Sequence, residues 1–141
     1  MIDAKKYLEE IERYNSVIEN KLAEIDQLKS LATSITAATS DTPVQSSGNS
    51  DRIGKIVADI ADKEDELNRL VDKLVDKKNE RIKIIEQLED RLQYNVLHKR
   101  YLQLMEFDDI AEKEHYSKQW IYKIHKQALE NIQIILNSRV K

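Results

Sequence analysis

The chain has 141 residues, 40% hydrophobic and 35% charged, with two glycines, one proline and no cysteine. That excludes disulfides and thiolate metal centres, and the Glu-, Lys-, Leu- and Ile-rich mix favours long helices with wet faces over a thick globular core. The formal charge of −3 is unevenly spread: residues 1–92 carry 15 Lys and Arg against 20 Asp and Glu, and residues 93–141 carry 8 against 6, so an acidic total does not exclude nucleic acid at the C-terminal end.

The opening MIDAKKYLEE has no apolar run of the signal-peptide kind. No stretch approaches the ~20 apolar residues that cross a bilayer, so the expectation is a soluble, cytoplasmic chain with no membrane partner. From Asp3 to about Ala32, Tyr7, Leu8, Ile11, Tyr14, Val17, Ile18, Leu22, Ile25, Leu28 and Leu31 recur at steps dominated by three and four. This predicts a helix of roughly 30 residues with Asp3 as its N-cap. Thr33–Ser50, rich in Ser and Thr and holding Pro43 and Gly48, reads as a polar linker.

Asp51 is expected to cap a second, longer helix. Its apolar positions, from Ile53 and Ile56 through Leu74 and Ile85 to Leu92, follow a near-heptad stripe, with Glu64 and Lys78 as polar interruptions of the seam. The two helices together predict an antiparallel hairpin. Next, Leu97, Tyr101 and Leu104 lie along one face of a further helix, with Val96 and Leu102 beside them.

FDDIAEKEHYSKQWIYKIHKQAL, residues 107–129, has the parts of a helix-turn-helix. Ile110 and Ala111 belong to a short first helix, His115 and Tyr116 to the turn, and Ser117 stands where an N-cap is wanted. Ile121, Ile124, Ala128 and Leu129 then form an apolar stripe. The opposite face carries Lys118, Gln119, Tyr122, Lys123 and Lys126: cations for phosphates and an amide for a base edge. His115 occupies a place where many such turns use glycine. After Leu129, Ile132, Ile134, Ile135, Leu136 and Val140 supply more apolar surface than one helix face needs, which with Ile82 and Ile85 predicts a homo-oligomer.

Catalytic signatures are not found. His98, His115 and His125 have no metal-ligand spacing, there is no glycine-rich phosphate loop, and the acids sit at charge-pair spacing along helices. The expectation is a non-enzymatic protein without metal or cofactor.

The segment NVLHKRYLQLMEFDDIAEKEHYSKQWIYKIHKQAL resembles the C-terminal DNA-reading region of bacterial sigma factors. It is more similar still to small phage and prophage proteins, kin to the ArpU-type late transcriptional regulators, with RYL, DIA, YS and IHKQAL as the strongest motifs. KLAEIDQLKSLATSIT, VQSSGNSDRI and KIVADI extend the likeness over most of the chain. The resemblance implies a helix-turn-helix that binds promoter DNA. By position, Ser117 would open the recognition helix, and Lys118, Gln119, Tyr122 and Lys123 would face the major groove. Two residues depart from the pattern: His115 for glycine and Glu114 for an apolar residue.

The expected protein is therefore all-α, with a helical hairpin over 1–92, a polar linker over 33–50 within it, and a helix-turn-helix domain over 93–141. The expected function is sequence-specific regulation of phage or prophage transcription. Double-stranded DNA would be its partner, with host RNA polymerase a further one. Ser117, Lys118, Gln119, Tyr122, Lys123 and Lys126 form the expected DNA site. The rival expectation is an interaction protein whose coiled coil binds host polymerase or a packaging component, with the helix-turn-helix as a packing module.

Overall fold

A computed structural model describes residues 2–40 and 46–139, and it is all-α: helices, with no strand among the described residues. The elements are α1 (Ala4–Ser40), α2 (Ser46–Ile85), α3 (Arg91–Leu97) running into a π-turn (His98–Leu102), α4 (Phe107–Glu114) and α5 (Lys118–Arg139). Asp3 caps α1 as its sequence position predicts, its Oδ1 accepting the Lys6 N–H at 2.9 Å. Among the described residues no helix is long and apolar enough to cross a membrane.

The polar linker is much shorter than Thr33–Ser50. Helix α1 continues to Ser40, and α2 begins at Ser46, so Asp51 lies inside a helix; the rest of the expected linker, 41–45, falls outside the described residues. Thr33 and Thr36 show how a loop-like composition stays helical. Their hydroxyls donate to the Lys29 and Ala32 carbonyls one turn back, both at 2.9 Å, and so do not compete for the backbone amides. Helix α2 also stops earlier than its stripe suggests. Asp90 Oδ1 accepts the Gln93 N–H at 3.0 Å and starts a new helix, which takes Leu92 out of the α2 seam.

The chain divides into two compact units, Asn15–Lys73 and a second made of Met1–Tyr14 with Leu74–Lys141. The N-terminal turns of α1 belong to the second unit because they are stitched into it. The Ala4 N–H donates to Gln133 Oε1 at 2.8 Å, and Tyr7 Oη donates to Glu80 at 2.9 Å. Arg81, almost fully buried, reaches the Tyr7 carbonyl and Glu10 while lying 3.9 Å from the Tyr7 ring. Leu8, Ile11 and Ile85 in this unit are fully buried.

In the Asn15–Lys73 unit α1 and α2 run antiparallel, with partner numbers falling on one helix as they rise on the other. Lys21 meets Glu66 at 2.8 Å, and Lys63 meets Glu24 at 3.9 Å. Ile18 and Ile25 of α1 are buried, and Ile56, Ile60, Lys63, Leu67 and Leu70 of α2 form the covered seam. Lys63, rather than Glu64, is thus the polar seam residue. Counting heptads from Ile56 puts 63 in the seam and 64 one step outside it, where Glu64 is exposed.

A helix-turn-helix as candidate nucleic-acid interface

Helix α4 carries Asp108 and Asp109 in its first turn, where carboxylates suit the positive helix end. Its Ile110 and Ala111 are buried against Val96, Ile121 and Ile124, with Leu92, Met105 and Phe107 packed around them. The helix ends at His115 in the left-handed conformation, φ 63° and ψ 42°, and the Tyr116 N–H bonds back to the Ala111 carbonyl at 3.1 Å. That six-to-one bond closes a helix end usually built with glycine; histidine tolerates the left-handed region at modest cost. Ser117 Oγ then accepts the Trp120 N–H at 3.1 Å, so this hydroxyl starts α5 and is spent on the helix end.

Two features upstream set the platform. The π-turn closes with the Gln103 N–H on the His98 carbonyl at 3.0 Å and leaves Leu104 at φ 58°. Leu104 therefore does not continue the helix face of Leu97 and Tyr101, because the wider turn shifts the chain and ends in a left-handed residue. Glu114, out of place for an apolar position, is mostly covered and paired with the Lys99 ammonium at 2.9 Å. An ion pair there takes the role of an apolar plug beneath the turn.

On α5, Ile121, Ile124, Ala128, Ile132 and Leu136 are buried. Lys118, Gln119, Tyr122, Lys123 and Lys126 are all exposed, so the expected face is brought together on one side. Its members are not equally free. Lys118 Nζ donates to Asp108 at 2.9 Å and lies 5.7 Å from the Tyr122 ring, contacts that raise its pKa. The Tyr122 ring is propped against Phe107 at 4.8 Å. Lys123 sits 5.4 Å over Trp120, which is itself 6.4 Å from the Tyr116 ring. Trp120 and Tyr116, both more than two-fifths exposed, are surface aromatics that the reading by lysine and glutamine passed over. The signal was present in the sequence: Trp120 lies three residues after the cap, in the first turn of α5.

Beneath this face, Tyr101 Oη and His125 Nε2 are 2.6 Å apart. Burial pushes the Tyr101 hydroxyl up to about 12 and, with the charges of Arg100 and Lys5, the His125 imidazole down to about 4. Both groups are neutral at pH 7, so one proton joins Oη and Nε2, with the direction set by the tautomer of the His125 ring. The pair ties the π-turn to the middle of α5 and lines a cavity of about 340 Å³ with Arg100, Glu9 and Phe107.

The surplus apolar surface near the C-terminus is largely consumed inside this unit. Ile85, Ile132 and Leu136 are buried and Ile82 and Ile135 half-buried; among the described residues of that set Ile134, at 65%, is the exposed one, and Val140 lies outside the described residues. Among the described residues no group of three or more His, Asp or Glu could hold a metal ion. Compared with models of protein families, with characterised proteins and with solved structures, the chain matches none.

Asp108 places a carboxylate beside the cationic face and occupies Lys118. If this face meets duplex DNA, Asp108→Asn is expected to raise the affinity several-fold at low salt, with the gain fading as salt screens the exposed charges. Fluorescence anisotropy with a labelled duplex at two salt concentrations measures it.

Proposed function

We propose that α4 and α5 form a DNA-binding helix-turn-helix and that α5 enters the major groove. The observation that carries this reading is the arrangement of α5. A Ser117-capped helix, set by the left-handed turn at His115, buries Ile121, Ile124 and Ala128 and presents Gln119, Lys123 and Lys126 on its free side. Recognition helices of this motif use their N-terminal residues for base edges and surrounding cations for phosphates. Lys123 and Lys126, with Lys118 once released from Asp108, supply phosphate contacts; Gln119 supplies an amide that pairs both ways with adenine. Ser117 acts by positioning α5. The biological role consistent with this is control of phage or prophage transcription, as the sequence resemblance implies.

Binding to a duplex should weaken linearly in log–log form as salt rises, with a slope of roughly −0.9 for each phosphate neutralised. Lys123→Ala should reduce affinity for all sequences alike and flatten the slope by about one for each α5 engaged. A full-length protein that shows no salt-dependent duplex binding would defeat the proposal.

A further inference from the structure

Trp120 is the one tryptophan of the chain, and it stands in the first turn of α5 with 41% of its surface exposed. Tyr116, four residues earlier, is 49% exposed, and the two ring centroids lie 6.4 Å apart with their planes inclined by 32°. Neither ring is needed to join α4 to α5, because Val96, Ile110, Ala111, Ile121 and Ile124 make that cluster. A lone exposed apolar residue is ordinary. Two neighbouring rings kept in water beside the cationic face form a ledge with apolar area to give to a partner.

The charge at the ledge selects the kind of partner. Lys123 Nζ lies 5.4 Å over the Trp120 ring, and Lys126 is exposed one turn further along α5. Cations held at an aromatic surface suit a polyanion that carries apolar groups between its charges, which is the chemistry of a nucleic acid. Around the helix Trp120 stands about 100° from Gln119, and Lys123 falls between them. With Gln119 turned to the base edges, Trp120 lies on the flank of α5 that faces the wall of the groove.

The base edges in a major groove present hydrogen-bonding atoms and a single alkyl group, the C5-methyl of thymine. In a thymine–adenine pair that methyl is the outermost feature on the thymine side, beyond O4 and nearest the backbone of its own strand. An amide at the crown of the helix reaches the hydrogen-bonding atoms, and a ring on its flank reaches the methyl. Tyr122, also exposed on this helix, is committed elsewhere, propped on Phe107 at 4.8 Å.

We propose that Trp120, backed by Tyr116, selects thymine through its 5-methyl group, beside the adenine read by Gln119. This rests on the DNA-binding reading and adds a base to it. The test uses the full-length protein, a duplex selected from a random pool, and the same duplex with deoxyuridine for every thymidine, which removes the methyl groups and keeps the hydrogen-bonding atoms. The wild type should bind the uracil duplex about fourfold more weakly for each methyl in contact. Trp120→Ala should bind both duplexes alike, whereas Lys123→Ala should weaken both and keep their ratio. Unchanged circular dichroism shows that Trp120→Ala is folded, and Trp120→Gln replaces it if its binding is too weak for a ratio. Because the chain has one tryptophan, quenching of its emission by the thymine duplex reports contact at this ring alone. A wild-type ratio of one, or a Trp120→Ala protein that keeps the fourfold preference, overturns the inference and leaves the DNA-binding reading standing. Duplex binding with unchanged emission does the same, and leaves the ledge to a protein partner. A protein that binds neither duplex defeats both.

Discussion

Ile121→Ala is expected to lower the unfolding free energy of the protein by ~2–5 kcal/mol, the range for truncating a fully buried aliphatic side chain. Ile121 is fully buried in the cluster that joins Val96, Ile110 and Ile124, so truncation loses transfer energy and leaves a cavity where α4 crosses α5. Ile134→Ala on the same helix is the control. With that side chain 65% exposed, the change should stay within about 0.5 kcal/mol. Chemical denaturation of both variants measures the difference. Equal losses would mean that α5 packs through another face, and the exposed position of Gln119 and Lys123 would fall with it.

The second large effect is on pH. His125 is neutral in the folded protein down to about pH 4, whereas in the unfolded chain it takes up a proton near 6.5. A base whose pKa falls on folding contributes its full stability above pH 6.5 and loses it as pH drops toward 4, because the unfolded state then binds the extra proton. The integrated loss is on the order of 3 kcal/mol, reduced by any water that reaches the ring. His98 shifts the same way through burial, and Glu10, held low by Lys77, adds a loss at lower pH. The contribution of His125 is isolated by comparison. His125→Gln should flatten the stability curve between pH 6.5 and 5, where carboxylates contribute little. Thermal midpoints at half-unit pH steps give both curves, and parallel curves would remove the half-buried Tyr101–His125 pair from the account.

The helix-turn-helix was legible in the sequence because its signals are local. Ile110 and Ala111, a Ser cap and a stripe of Ile121, Ile124 and Ala128 each act within a turn or two, and the structure keeps them where the pattern put them. What was lost depends on competition between weak terms. Thr33 and Thr36 look like linker residues until their hydroxyls are satisfied one turn back. Asp90 ends the long seam of α2 because a cap and a turn outweigh its periodicity. The π-turn and Leu104 at φ 58° have no sequence marker, since a leucine there gives no sign of left-handed backbone. The unit boundary was hidden for a different reason. Its determinants, Gln133 on Ala4 and Arg81 on Tyr7, are contacts of high sequence separation that no window along the chain can contain.

The central claim is that α5 reads bases through Gln119 and holds phosphates through Lys123. The most direct measurement compares the affinity of wild type, Gln119→Ala and Lys123→Ala for a duplex selected from a random pool and for the unselected pool, at one salt concentration. Gln119→Ala should lose ~1–3 kcal/mol on the selected duplex and little on the pool, while Lys123→Ala should lose equally on both. If Gln119→Ala leaves the ratio of the two affinities unchanged, α5 does not read bases through that residue and the claim is wrong.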